Sequence, residues 1–174
     1  MMFQQLPTDK KMFMIAYGAV CTALLFVLSL LDSLLNFGFG VPGVKAGLSN
    51  IVVIMSLCTF GFWYSFFIVV VKILINTFFL SGLSSFLFTA SGSIAGFLIM
   101  FLLKKTLKNK ISCIGMSAAG SFFHIVMQYL MSALIMKTTA VFYMMPYAII
   151  LSLVSSVIVG VLCNIILNVK RKGV

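Results

Sequence analysis

The stretch GLSSFLFTASGSIAGFLIMFLLKKTLKNK, residues 82–110, decides the fold class of this chain. Its first 22 residues carry no charge, and four lysines follow within the next seven residues. An α-helix needs about 20 apolar residues to cross the hydrocarbon core of a bilayer. Lysines directly after such a run are typical of its cytoplasmic end. The stretch therefore predicts a transmembrane helix over Gly82–Leu103.

The rest of the chain repeats this pattern on both sides of the stretch. Of its 174 residues, 63% are hydrophobic and 8% are charged, and the mean hydropathy is +1.24. Soluble domains carry about 25% charged residues, so most of this surface must face lipid. The apolar runs lack the alternating polarity of β-barrel strands. We predict an all-α integral membrane protein, one domain over residues 1–174, with six spans: Met12–Leu31, Ala46–Phe60, Phe62–Leu80, Gly82–Leu103, Ile111–Met136 and Phe142–Val169.

The basic residues predict how this six-helix bundle is oriented. Nine of the twelve lie before the first span, between the fourth and fifth spans, or after the sixth. Only Lys45 and Lys137 lie in the connections on the other side, and Lys72 lies within the third span. Because basic residues concentrate on the cytoplasmic side, we expect both termini in the cytoplasm of a multi-pass cell-membrane protein.

Charge and cysteine usage argue against several other classes of protein. The net charge is +10, but the basic residues punctuate apolar runs and form no basic patch interleaved with aromatics, so we expect no nucleic-acid partner. The four cysteines each fall inside an apolar run without a CxxC pair. We interpret them as small apolar residues, and we expect neither a metal site nor another cofactor.

Two polar residues in the third span indicate a site inside the membrane. Lys72 lies near the middle of the span, where a charge costs at least about 2.5–3.5 kcal/mol on insertion scales. It should therefore face the bundle interior, and Asn76 follows one turn later on the same face. The pair suits an anionic or carbonyl-bearing ligand group. The alternative is a structural lysine bonded to helix carbonyls.

The fifth span carries a polar stripe that includes two larger side chains. Ser117, Ser121, His124, Gln128 and Ser132 recur at spacings of four, three, four and four residues, which places them along one helix face. Such a stripe must face protein or a wet cavity. His124 and Gln128 either bind a ligand or hold helices together by hydrogen bonds.

Small residues at four-residue spacing indicate close helix packing. Gly92 and Gly96 form a GxxxG pair in the fourth span. Ala19 and Ala23, preceded one turn earlier by Ala16, form an AxxxA pair in the first span.

Several of these segments together resemble a known family. PGVKAGLSNIV (residues 42–52), the region of Lys72, and GMSAAGSFFHIVMQ (residues 115–128) are similar to the Gx transporter family, which is also described as heptaprenyl diphosphate synthase component I. That family is related to the substrate-capture subunits, or S components, of energy-coupling-factor (ECF) vitamin transporters, which also have six helices with cytoplasmic termini. The resemblance extends over nearly the whole chain.

The resemblance implies a mode of action and a set of partners. S components bind a vitamin or similar micronutrient from outside and dock on a transmembrane coupling subunit driven by two ATPases. Docking uses small residues of the first helix, which Ala16, Ala19 and Ala23 match, and the loop between the first two helices, here Asp32–Lys45, gates the substrate. The predicted ligand-contacting residues are Lys45, Asn50, Lys72, Asn76, His124 and Gln128.

Two alternatives to a capture subunit follow from the same residues. Prenyl diphosphate synthesis needs clustered aspartates that hold Mg²⁺, and the chain has only Asp9 and Asp32, so we expect no catalysis of its own. An accessory role beside a catalytic subunit of isoprenoid or quinone biosynthesis remains as the second hypothesis. A pore would repeat polar residues from end to end, whereas here they gather at mid-depth. The two lysines favour an anionic group on the ligand, and the Phe and Met content favours a flat or apolar body such as a flavin, a quinone or isoprenoid precursor, or a tetrapyrrole.

Overall fold

A chain this apolar can satisfy its backbone hydrogen bonds within lipid only as helices, and a computed structural model describes it as helical. The structure describes residues 8–39, 47–81, 86–107 and 111–172. Within these ranges the helices are α1 (Thr8–Phe39), α2 (Asn50–Phe60), α3 (Phe62–Ile75), α4 (Phe86–Leu107), α5 (Cys113–Met136) and α6 (Met145–Lys172). The prediction of an all-α, six-helix protein is confirmed.

Five helices are long and apolar enough to cross a bilayer, and α2 is not. The 11 residues of α2 rise about 16 Å, whereas the hydrocarbon core is about 30 Å thick. The predicted second span, Ala46–Phe60, is the shortest of the six, and among the described residues its helix begins at Asn50. The chain is a multi-pass membrane protein, and its described residues contain five candidate spans and the short α2. The side on which the termini lie stays a prediction.

A one-residue turn joins α2 to α3. Gly61 has φ 83° and ψ −163°, and the positive φ suits a residue without a Cβ. The turn places Phe60 and Tyr64 side by side, with ring centroids 4.7 Å apart. The Tyr64 hydroxyl donates a hydrogen bond of 2.9 Å to the carbonyl of Met14, which fixes α1 to this end of the α2–α3 hairpin.

The end of α3 widens into a π-helical turn over Asn76–Ser81. The backbone N–H of Asn76 reaches the carbonyls of both Lys72 and Ile73, and its side-chain amide donates to the Lys72 carbonyl at 2.9 Å. Single π turns of this kind are frequent at functional sites.

Helices α4, α5 and α6 form the tightest part of the bundle. A Cβ added to Gly96 would lie 2.8 Å from the carbonyl oxygen of Gly120, and one added to Gly160 would lie 2.5 Å from Cα of Ile114. Only glycine permits such approaches, so the close-packing interpretation of the GxxxG pair in α4 is confirmed.

Helix α1 is the peripheral element. Among the described residues it packs only against α2, α3 and the π turn, and most of its side chains from Met12 to Leu34 are exposed. Its buried contacts include Cys21, Leu25, Ser29 and Asp32, which recur at three- and four-residue spacing along one face.

Candidate functional site

The site begins at the N-terminus of α2, which is held by a carboxylate from α1. Asp32 is 2% exposed, and its two oxygens accept hydrogen bonds from the backbone N–H groups of Leu48 (2.9 Å) and Ser49 (3.1 Å). The first N–H groups of a helix have no partner within the helix, and they carry partial positive charge. The buried Asp32 carboxylate compensates the partial positive charge of the helix start and accepts hydrogen bonds from its N–H groups. It therefore fixes where α2 begins.

The first residue of α2 then reaches the buried lysine. The Lys72 ammonium donates a hydrogen bond to the side-chain oxygen of Asn50, and both residues are less than 10% exposed. Asn76 is bonded to the Lys72 carbonyl one turn further along. Asp32, Asn50 and Lys72 thus connect α1, α2 and α3 through polar groups inside the bundle.

His124 of α5 lies beside Asn50 and Lys72 because α4 has glycines, and hence no side chains, where the histidine packs. A Cβ added to Gly92 would lie 2.9 Å from the His124 carbonyl oxygen and 3.2 Å from carbons of its imidazole ring. One added to Gly96 would lie 3.3 Å from Cβ of His124. The two glycines therefore form the surface against which the histidine packs.

Two small adjoining cavities lie between these groups. Both are lined by Asn50, Lys72 and His124, and their volumes are about 10 and 20 Å³. The larger one receives a polar side chain from every helix of the bundle: Asp32, Asn50, Lys72, Asn76, Thr89, Ser121, His124 and Ser152. A volume of about 10–15 Å³ already holds one water molecule, so the space is that of a few waters at most.

The smaller cavity also contains a polar atom whose hydrogen-bonding capacity is unused. Ser93 lines it, is 6% exposed, and its hydroxyl has no partner among the described residues. A buried hydroxyl left unpaired costs free energy in an apolar interior. The site therefore offers a donor and acceptor that a water or ligand atom could satisfy.

The structure brings together four of the six predicted ligand-contacting residues: Asn50, Lys72, Asn76 and His124. Gln128 lines neither cavity; it is buried, and its side-chain oxygen has no partner within the described ranges. Lys45 and residues 40–44 of the predicted gating loop lie outside the described residues. Residues 32–39 belong to α1, so the prediction of a loop is wrong for that part. Ala16, Ala19 and Ala23 are all exposed on α1.

Sequence reasoning left Asp32, Thr89 and Ser152 out of the site. Asp32 had a signal, because it is one of only two acidic residues and follows an apolar run directly. No sequence signal distinguishes Thr89 and Ser152 from residues that only pack helices together, because both occur in stripes of small side chains. Only the assembled bundle shows that these stripes meet at one cavity.

A known protein family matches most of this chain. The family model described as "Heptaprenyl diphosphate synthase component I" matches residues 21–166, which is 146 of the 174 residues. The chain belongs to this family. The resemblance drawn from the sequence segments is thereby confirmed. Searches among curated proteins and among solved structures find no significant match.

The part shared with the heptaprenyl diphosphate synthase component I family contains the whole polar cavity. Every residue that lines it, from Asp32 in α1 to Ser152 in α6, lies within 21–166. Ala16 and Ala19 precede the matched range, and Ala23 lies inside it. The matched range therefore covers all residues of the cavity but only one of the three alanines on α1.

Proposed function

We propose that this chain is the substrate-capture subunit of an ECF-type importer in the cell membrane, and that its ligand binds where Asn50, Lys72 and His124 meet. The observation that carries the proposal is the cavity to which all six helices contribute a polar side chain. Each such group is costly when it faces lipid. Hydrogen bonds that merely hold pairs of helices together would be spread along the bundle, whereas these groups converge on one place.

The chemistry of the cavity suits a small ligand head with both hydrogen-bond donors and acceptors. The Lys72 ammonium can neutralise an anionic group, and Asn50 and the hydroxyls of Ser93 and Thr89 offer directional bonds. Ligand pockets usually enclose about 300–1,000 Å³, far more than the cavities of about 10 and 20 Å³ found here. The described form is thus closed, and binding requires helices around the cavity to move apart.

The exposed face of α1 supports the second half of the proposal, which is docking. Ala16, Ala19 and Ala23 present small side chains away from the bundle. Ala19 also lines an apolar groove of about 840 Å³ between α1 and α3, whose walls include Trp63 and Phe67. Small residues allow another helix backbone to approach closely within a membrane, so this face suits the transmembrane coupling subunit of an importer that carries its own two ATPases.

The family's description favours a second candidate, an accessory subunit of isoprenoid or quinone biosynthesis. In that role the chain would have no catalysis of its own. Its acidic residues are Asp9 and Asp32 alone, and the Asp32 carboxylate already accepts two backbone hydrogen bonds. The two candidates differ in their partner: a coupling subunit with ATPases, or a soluble prenyl diphosphate synthase subunit. Affinity purification of the tagged chain from its native membrane distinguishes them.

The decisive experiment compares the small molecules retained by the native protein and by Lys72→Met. Both are purified in lipid nanodiscs, and bound compounds are identified by mass spectrometry. The substitution keeps the apolar stem and removes the charge. We expect it to weaken binding of the retained compound more than tenfold, about 1.4 kcal/mol, with the fold intact.

Lys105→Met serves as the matched control, because Lys105 is exposed at the end of α4, away from the cavity. It should retain the compound as the native protein does. Equal retention by Lys72→Met and Lys105→Met would contradict the proposed binding site.

A further inference from the structure

Three of the four cysteines meet at one place, although their spacing along the chain does not group them. The Cys113 thiol, at the start of α5, lies within hydrogen-bonding reach of the thiols of Cys58 in α2 and Cys163 in α6. Cys21 lies apart from them on α1 and contacts Tyr17. All four are unpaired thiols. The cluster of Cys58, Cys113 and Cys163 thus joins three helices at the end of α2 opposite Asn50.

Packing that involves no sulfur atom holds these helices in place. The backbone of α6 at Gly160 touches that of α5 at Ile114, which follows Cys113. A Cβ added to Gly160 would lie 2.5 Å from Cα of Ile114. Cys163 follows Gly160 by three residues and therefore lies on the same side of α6. On the other side, Lys104 of α4 donates a hydrogen bond to the carbonyl of Leu57, the residue before Cys58.

The three thiols differ in ways that matter for their chemistry. Cys58 and Cys113 are partly exposed, whereas Cys163 is 0% exposed. Burial of Cys58 disfavours a thiolate there, and the nearby Lys104 ammonium partly offsets this by favouring the negative charge. Cys113 has two neighbours, and either thiol can react with it.

We propose that Cys58, Cys113 and Cys163 form an oxidation site at which a hydroperoxide produces a disulfide between Cys113 and one of its two neighbours. In the first step one thiolate attacks the peroxide oxygen, and the sulfur becomes a sulfenic acid as water or an alcohol leaves. In the second step the neighbouring thiol attacks that sulfur, the S–S bond forms and water leaves. Two thiols lose two electrons in total, and the peroxide accepts them.

The disulfide would connect α5 to α2 or to α6 near one end of the bundle. Helix α2 carries Asn50 and α5 carries His124, both of which line the polar cavity. A covalent connection at the far ends of these helices limits how far they can separate. The oxidation site thus lies where it can restrict motion around the cavity, while remaining independent of what the cavity binds.

The test counts free thiols in the full-length protein in nanodiscs after exposure to hydrogen peroxide. The protein is then denatured and labelled with a maleimide-linked polymer, which shifts its mobility once per free thiol. We expect four labelled thiols before oxidation, two after it, and four again after dithiothreitol. Peptide mass spectrometry should identify Cys113 in every crosslinked pair.

Single Cys→Ser variants separate this cluster from general thiol oxidation. Cys21→Ser should still lose two thiols, and Cys58→Ser and Cys163→Ser should each still lose two because one pair remains. Cys113→Ser should lose none. The proposal is overturned if Cys113→Ser loses thiols as the native protein does, if the native protein keeps four, or if dithiothreitol fails to restore them.

Discussion

Two charged side chains, Asp32 and Lys104, bracket α2, the shortest of the six described α-helices. Asp32 accepts from backbone N–H groups at the N-terminus of α2, and Lys104 donates to the Leu57 carbonyl near its C-terminus. These signs match the partial charges of a helix, positive at the start and negative at the end. A helix of 11 residues gains little from its own propensity, so α1 and α4 stabilise it from outside.

Replacing Asp32 by Ala should destabilise the protein, because the backbone N–H groups of Leu48 and Ser49 would lose a charged acceptor. Hydrogen bonds to charged groups contribute about 1.5–3 kcal/mol each, and we expect a net loss of about 2–4 kcal/mol. For a chain of this size that lowers the apparent unfolding temperature by about 5–10 °C, measured in detergent by a thermal-shift assay.

Two further variants make this measurement specific. Asp32→Asn keeps one acceptor oxygen and should lie between the native protein and Asp32→Ala. Ser33→Ala changes the neighbouring residue, for which the structure gives no bond, and should leave the unfolding temperature within about 2 °C, since such changes usually stay within about 0.5 kcal/mol. An unfolding temperature of Asp32→Ala equal to that of Ser33→Ala would show that the capping bonds contribute nothing.

At the scale of helices, glycines determine how closely α4, α5 and α6 approach, and their neighbours differ in kind. A Cβ at Gly160 would meet the backbone of Ile114 at 2.5 Å. A Cβ at Gly120 would meet the end of the Met100 side chain at 2.0 Å. A methionine end can rotate away, whereas a helix backbone can move only with its whole helix.

Gly160→Ala should therefore cost more than Gly120→Ala, although the second shows the shorter distance. We expect Gly160→Ala to lose about 1–3 kcal/mol and Gly120→Ala less than half of that, because overpacking is costly where nothing can yield. The same thermal-shift assay compares them. The reverse order would mean that α5 and α6 separate more easily than their packing suggests.

The exposed face of α1 allows a direct test of docking. Replacing Ala19 and Ala23 by Leu should block association with a coupling subunit, because the added bulk keeps the two helix backbones apart. Co-purification of the coupling module with the tagged variant should fall at least tenfold. Retention of small molecules by the isolated variant should be unchanged, since neither alanine lines the cavity.

A double variant of the same helix controls for added size alone. Val20→Leu with Val27→Leu enlarges two other exposed positions of α1 that already carry branched side chains. This variant should co-purify the module as the native chain does. Should the alanine variant also retain the module, docking must use another surface.

For the whole molecule, the predicted orientation can be measured independently of any function. Single cysteines introduced at Lys105 and Lys137 in a cysteine-free background should label from opposite sides of the membrane with an impermeant maleimide. Both native side chains are exposed, one at the end of α4 and one after α5. The positive-inside rule places position 105 in the cytoplasm and position 137 outside. Labelling of both from one side would exclude the predicted topology.

The sequence was sufficient for the helical membrane fold because that depends on composition and run length. A polar group in an apolar span has few places to face, so the sequence predicts that Lys72, Asn76, His124 and Gln128 converge. The first three line the cavity, and Gln128 does not. The sequence was insufficient for the start of α2 at Asn50, because the mostly apolar residues just before Asn50 give no sharp boundary in hydropathy. It could not predict that Asp32 binds the start of α2 or that three thiols cluster, because both depend on which helices are neighbours in space.

The one-residue connection at Gly61 has a consequence for biosynthesis. With 11 residues, α2 is too short to leave a translocon sideways into lipid as an independent span. Because Gly61 alone separates it from α3, the two must enter the bilayer together as a hairpin, with α1 already present to supply Asp32. A nascent chain halted after Phe60 would therefore hold α2 at the membrane surface or inside the channel, and integration of this segment would wait for the synthesis of α3.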